Sequence, residues 1–140
     1  MPTIRIAAAV IVDGGDRILL VRKQGTTAWM QPGGKLEAGE QPDAALAREL
    51  FEELGLVVDP ATFDHWGRFT AAAANEAGHT VDCDIYELTI AQPPVAAAEI
   101  AELRWVALDD TELEIAPLAL EYVLPRLRAD SAGTSTHPAG

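Results

Sequence analysis

Apolar residues along the chain fall into two kinds of run, continuous and helically spaced. Residues 4–12 and 18–21 are apolar stretches rich in β-branched side chains, and the turn-forming Asp13-Gly14-Gly15-Asp16 lies between them. This pattern predicts a β-hairpin of buried strands. Residues 63–72 and 80–90 predict two further strands joined by the polar turn Asn75-Glu76-Ala77-Gly78-His79, and residues 103–108 predict another. Between 24 and 39 the density of Gly and Pro predicts a loop without regular structure. Pro42 suits the first turn of a helix and Gly55 its end. On a helical wheel of about 100° per residue, Ala44, Ala47, Leu50, Phe51 and Leu54 share one side, while Glu49, Glu52 and Glu53 cluster on the other. A last helix is expected over residues 117–127. Residues 131–140, small and polar with no apolar period, are expected to be a mobile tail beyond a single domain of residues 1–130. The order strands, helix, strands, helix predicts an α/β fold in which helices cover a mixed sheet.

Composition narrows the function. The 140 residues suit one domain, and 49% hydrophobic residues spread along the chain exclude a disordered or low-complexity protein. A net charge of −12 repels a nucleic-acid backbone and an anionic membrane. The expected partner is therefore a small molecule, with no nucleic acid and no membrane. If that molecule is anionic, a cation must mediate, and a divalent metal is the natural candidate. Cys83 is the single cysteine, which excludes an internal disulfide or a cysteine-rich zinc site. With no leader-like segment in residues 1–5, and no apolar run near the ~20 residues of a membrane span, a cytoplasmic location is expected. Nothing in the sequence separates a monomer from a homodimer.

The candidate chemistry lies in the helix. Glu49, Glu52 and Glu53 are spaced i, i+3 and i+4, which brings three carboxylates together on one turn. Like charges so placed destabilise a bare helix, and the only basic residue among them is Arg48. Hard oxygen donors on a rigid helix beside a glycine loop suit Mg²⁺ or Mn²⁺, which take few protein ligands and leave room for phosphates. His65, His79 and His137 have no ligand spacing, so zinc is not expected. Arg22 and Lys35, at the mouth of the loop and on it, are the cations placed to touch phosphate, and Trp29 is the aromatic residue placed to border a pocket. Trp66, Phe69, Tyr86 and Trp105 are further aromatics able to stack on a base, although Tyr86 and Trp105 lie in apolar strand patterns that suit a core.

The segment Gly34-Lys35-Leu36-Glu37-Ala38-Gly39-Glu40, followed after seven residues by Arg48-Glu49-Leu50-Phe51-Glu52-Glu53-Leu54-Gly55-Leu56, resembles the Nudix box, G-x5-E-x7-R-E-U-x-E-E-x-G-U with U aliphatic. Trp29-x-x-Pro32-Gly33 before it and Glu99-x-x-Glu102-x-x-Trp105-Val106 after it extend the similarity. The resemblance implies a Nudix α/β/α sandwich and Mg²⁺- or Mn²⁺-dependent hydrolysis of a pyrophosphate bond in a nucleoside diphosphate-linked substrate. It also implies roles. Glu49, Glu52 and Glu53, helped by the Gly34 carbonyl, resemble the metal ligands. Arg48 is similar to the residue that orients the first glutamate, and Glu40 to an acidic residue supporting the metal site. Glu99 resembles a late glutamate that binds metal or acts as base, and whether Glu49, Glu53 or Glu99 is the base stays open.

The size and layout are most similar to MutT-type enzymes, which release a nucleoside monophosphate and pyrophosphate from a nucleoside triphosphate. A hydrolase of a nucleotide sugar or other nucleoside diphosphate derivative is the alternative, and a non-catalytic nucleotide sensor a third reading. Relatives that cleave ADP-ribose or diadenosine polyphosphates carry a proline or a tyrosine where this chain has Ala71-Ala72-Ala73-Ala74, small residues that suit a spacious wall. Relatives that select 8-oxo-dGTP place an asparagine just before a proline near the last helix, where this chain has Glu114-Ile115-Ala116-Pro117. Without an amide there, strict selection of an oxidised purine is not expected.

Overall fold

A computed structural model describes residues 2–14, 16–110 and 112–136, residues 131–136 by their backbone alone. Among the described residues seven strands form two sheets. The four-stranded sheet has the order β4 (Gly33–Lys35), β1 (Thr3–Val10), β6 (Thr80–Glu87), β5 (Asp64–Ala72), and the three-stranded sheet has the order β2 (Val12–Asp13), β3 (Arg17–Lys23), β7 (Ile100–Ala107). β1 runs parallel to β6 and the remaining pairs are antiparallel, so the first sheet is mixed.

The expected first hairpin is only partly present. The apolar run 4–12 is not one strand: it changes sheets at Ile11, whose carbonyl accepts from the Leu19 N–H at 2.9 Å. Only the short β2 pairs with β3. β1 turns instead to β4 and β6, because both of its faces find apolar cover. Ala7, Ala9 and Ile11 pack with Leu46, Leu50 and Leu54 of helix α1 (Pro42–Leu54), whereas Ala8 and Val10 pack with Leu118, Val123, Leu124 and Leu127. Burial on both faces explains a continuous apolar run where a half-exposed strand would alternate. Helices thus cover the sheets on two sides, giving the α/β/α layering.

α1 begins at Pro42 and ends at Gly55, as expected. Gly55 adopts φ 67° and its N–H caps the carbonyls of Leu50 and Phe51. The assignment of its faces needs correction. Leu46, Leu50 and Leu54 are buried, but Phe51 is 60% exposed and Glu53 lies in their place at 2% exposure. The loop expected over 24–39 also contains a strand, β4, which pairs with β1 through the register Ala8↔Gly33 and Ala7↔Gly34. Only glycine permits that approach: a Cβ on Gly33 would lie 2.1 Å from the Ala7 carbonyl oxygen.

The last helix starts near Pro117 and continues beyond 127. A π-helical turn at Ala119–Val123 leads into α2 (Leu124–Thr136), with the Leu124 N–H bonded to the Ala119 carbonyl. Pro125 gives the reason, since it has no N–H for the carbonyl of Glu121 and its ring crowds that carbonyl. The expected tail therefore meets a helical backbone as far as Thr136, and residues 137–140, including His137, lie outside the described residues. Among the described residues no helix is long and apolar enough to cross a membrane.

Candidate active site

A cleft of about 500 Å³ runs between the glycine strand β4, the turn between β5 and β6, and the segment entering the last helix. Gly33, Gly34, Lys35, Lys23, Glu49 and Glu99 line one end. Ile4, Ile6, Ala72, Ala73, Ala74, Val81, Ala116, Leu118 and Ala119 supply an aliphatic surface, and Gln24, Thr26, Gln31, Asn75 and Glu76 add polar groups to the lining. Among the described residues no aromatic side chain lines the cleft.

Four of the sequence-predicted residues, Gly34, Lys35, Glu49 and Glu99, meet in that wall. Helix α1 supplies Glu49 and, one turn on, Glu53, which sits behind the cleft surface. The absence of a side chain at Gly34 lets the strand pass over Glu49, for a Cβ there would lie 2.5 Å from the Glu49 carboxyl carbon. Glu53 Oε1 accepts from the Gly33 N–H at 3.4 Å, while Oε2 is buried with no partner. Burial, reinforced by the charges of Glu49 and Glu99, pushes the Glu53 carboxyl up to about 8. Glu49 is also raised, chiefly by burial, against the opposing pull of Arg48.

Arg48 organises the outer side of the cluster. Its guanidinium donates to Glu40 at 2.8 and 2.9 Å, to Glu49 at 3.0 Å, to Glu52 at 3.0 Å and to the Lys35 carbonyl at 3.1 Å. Glu40, which also accepts from the Glu37 N–H, is held down at about 2 by Arg48. Glu40 therefore reaches the carboxylate cluster through Arg48 rather than directly. Glu52 is solvent-exposed and engaged by Arg48.

Two predicted residues stand apart. Trp29 is 5% exposed in the core between the sheets and the last helix, with Arg104 over its ring at 4.9 Å, and it does not line the cleft. Arg22 holds Glu102 at 2.7 Å and the Thr26 carbonyl at 2.8 Å, also outside the lining. Its neighbour Lys23, missed by the sequence reading, takes the place expected for Arg22 and lies 3.3 Å from Glu99. The signal was position alone: Lys23 is the next cation along β3 toward the loop, at the point where the pairing with β7 shifts register. None of Trp66, Phe69, Tyr86 and Trp105 lines the cleft either. Tyr86 is core, as its strand pattern indicated. His65 lies on β5 with Nε2 2.8 Å from the buried Asp84 and does not line the cleft.

Loop geometry places Glu99. The Ala97 N–H donates to the Glu53 carbonyl at 2.9 Å and the Gln24 N–H to the Glu99 carbonyl at 2.8 Å. Between these anchors Ala98 has φ 53°, a left-handed conformation that an alanine adopts only at a cost.

A sequence profile of the NUDIX domain matches residues 2–127. The chain belongs to the Nudix family. Among solved structures, this Nudix chain is similar to a MutT NUDIX hydrolase from Burkholderia pseudomallei, at 25% identity and a TM-score of 0.74 over 89% of this chain and 98% of that one. It is 40% identical over 52 residues to a MutT-like protein of Streptomyces ambofaciens, covering 37% of this chain and 34% of that protein. It is 40% identical over 53 residues to an RNA pyrophosphohydrolase of Tolumonas auensis, covering 38% and 30%. The matched stretch thus spans about a third of the length of these curated relatives.

Proposed function

We propose that this Nudix protein hydrolyses a (deoxy)nucleoside triphosphate to a nucleoside monophosphate and pyrophosphate, with Mg²⁺ or Mn²⁺ as cofactor. The observation that carries the reading is the polarity of the single cleft described above. Carboxylates, lysines and glycine backbone stand at one end, and aliphatic side chains, with Asn75 and Glu76 beside them, line the rest.

The residues present fit a divalent cation. Glu53 Oε2 is a buried oxygen without a partner, the Glu49 carboxylate lies beside Gly34, and all donors are hard oxygens. Among the described residues no three Asp, Glu, His or Cys side chains come together as a group able to hold a metal ion, so Glu49, Glu52 and Glu53 do not converge on one point, and Glu52 turns outward to Arg48. Glu49, Glu53 and the Gly34 carbonyl would hold the cation, with Glu52 at the outer side. When bound, the cation supplies charge neutralisation and Lewis-acid polarisation at the phosphates.

The chain's own groups supply the rest. Arg48, locked by Glu40, fixes the rotamer of Glu49 so that the carboxylate is oriented before substrate arrives. Lys23 and Lys35 bind phosphate oxygens. The water oxygen forms a bond to phosphorus as the bridging P–O bond breaks, and its electron pair leaves with pyrophosphate. The proton of the water passes to a carboxylate of the cluster, Glu49, Glu53 or Glu99. The aliphatic wall accepts the base by contact rather than by stacking on a ring, and Ala116 offers no hydrogen bond to distinguish an oxidised purine.

Product masses test the proposal. With Mg²⁺ or Mn²⁺ and a panel of canonical and oxidised triphosphates, nucleotide sugars, ADP-ribose and dinucleotides, monophosphate plus pyrophosphate is expected from the triphosphates. Cleavage confined to sugar or dinucleotide substrates overturns it, as does tight nucleotide binding with no turnover on the whole panel.

A further inference from the structure

Both lysines in the cleft wall are already engaged by carboxylates. Lys23 Nζ lies 3.3 Å from Glu99 Oε1 and Lys35 Nζ 3.6 Å from Glu76 Oε1, and all four residues line the cleft. The two glutamates differ in place. Glu99 stands among the proposed reacting groups, whereas Glu76 lies in the turn between β5 and β6 and belongs to none of that machinery. Lys35 lies on β4, the edge strand beside Gly34. The Lys35–Glu76 pair therefore spans the cleft from its glycine end to the turn that follows the alanine wall.

We propose that Glu76 is a built-in competitor for the substrate's phosphate at Lys35. In the free protein its carboxylate occupies the ammonium group that a phosphate oxygen would take, and an incoming polyphosphate must displace it. A carboxylate can be displaced there because both side chains are substantially exposed, at 67% and 43%, so the pair is screened and weak. Removing the carboxylate spares the substrate that displacement and also removes a like charge from the path of entry. The turn is then released from Lys35 when a polyanion binds and tethered when none is present. This inference rests on the reading of the glycine end as a phosphate site.

The test uses the full chain with Glu76→Gln, Lys35→Gln and the double substitution. Inorganic tripolyphosphate is the binding probe by calorimetry, and a nucleoside triphosphate is the substrate in steady state. In Glu76→Gln the Kd for tripolyphosphate and the KM for the triphosphate are expected to fall roughly two- to fivefold, with kcat unchanged. In the Lys35→Gln background the same substitution is expected to give a clearly smaller gain, since the two residues act as a pair. Unchanged Kd and KM in Glu76→Gln overturn the proposal. An equal gain with and without Lys35 also overturns it, because Glu76 would then act only through overall charge. If the wild-type protein hydrolyses no triphosphate, the proposed function fails, while the tripolyphosphate arm still decides the role of Glu76.

Discussion

At its carboxylate end the cleft draws Gly34, Lys35 and Glu49, with Glu53 behind, from residues 34–53 and adds only Lys23 and Glu99 from elsewhere, whereas at its aliphatic end Ile4, Ile6, Val81, Ala116 and Leu118 come from segments far apart in the chain. The greater part of the first end is a local object: a glycine strand, a short connection and the helix that follows fix its geometry, and the fold brings Lys23 and Glu99 to it. The other exists only after β1, β6 and the entry to the last helix have been assembled. Chemistry was therefore legible in one place and shape had to wait for the fold. At the first end a substitution that touches only side chains of the cluster should change reaction more than stability, whereas at the second it should do the reverse unless its side chain faces the cleft.

The largest expected effect is at Glu53. Glu53→Gln keeps the volume and removes the charge, so turnover should fall by on the order of 10²-fold or more while circular dichroism and the unfolding transition show an intact fold. Near-normal turnover by the folded variant breaks the distinction between the two ends. The adjacent glycines sharpen it. In Gly33→Ala the new Cβ meets the Ala7 backbone at φ 148°, so stability should drop by roughly 3 kcal/mol or more. In Gly34→Ala it meets only the end of the Glu49 side chain, so activity should fall well before stability does. Denaturant unfolding and initial rates on both variants separate the two outcomes.

At the aliphatic end, Ile115 and Ala116 form a similar pair. Ile115 is a buried core residue bridged to Trp29, and Ile115→Asn should cost about 2–4 kcal/mol by burying an amide in apolar surroundings. Ala116 lines the cleft, so Ala116→Asn should alter the ratio of kcat/KM between 8-oxo-dGTP and dGTP with less loss of stability. Ala116, immediately before Pro117, lines the cleft, whereas Ile115 is buried in the core.

A smaller effect is the pH dependence of the metal-free protein. Folding raises the Glu53 carboxyl from 4.5 to about 8, so the folded state holds that proton more tightly than the unfolded state. The corresponding stability is fully present below pH 4.5 and is lost as pH rises through about 8. Thermal unfolding in a chelating buffer should show a falling Tm across this window, and Glu53→Gln should flatten that part of the profile. Smallest is Ala98→Gly. Relief of the left-handed alanine should raise stability by up to ~1 kcal/mol, with a modest loss of kcat because Glu99 is then less firmly placed.

How much could be read beforehand follows the same division. Pro42, Gly55 and the i, i+3, i+4 glutamates gave α1 its bounds and its chemistry, because a helix converts spacing directly into position. The wheel still misplaced Phe51 and Glu53. Ranking side chains by hydrophobicity assigns a phenylalanine to the core, yet the sheet beneath α1 is met by Leu46, Leu50 and Leu54, and Glu53 shares their stripe. The change of sheet at Ile11 was invisible because a strand buried on both faces has no alternation to mark its pairing. Trp29 reads as a loop residue in sequence but is carried into the core by the bonds of Trp29 N–H to the Glu114 carbonyl and of Ala116 N–H to the Trp29 carbonyl, each 2.8 Å and each joining segments more than 80 residues apart.

Manganese binding gives the sharpest decision on whether the carboxylates at the glycine end hold the divalent cation. Free Mn²⁺ would be followed by electron paramagnetic resonance during titration of the wild-type protein and of Glu53→Gln, each with and without a non-hydrolysable triphosphate. We expect the wild type to bind Mn²⁺, more tightly with the nucleotide, and the variant to bind at least roughly tenfold more weakly in both conditions. Equal Mn²⁺ affinity in the two folded proteins would contradict the placement of the metal at Glu53.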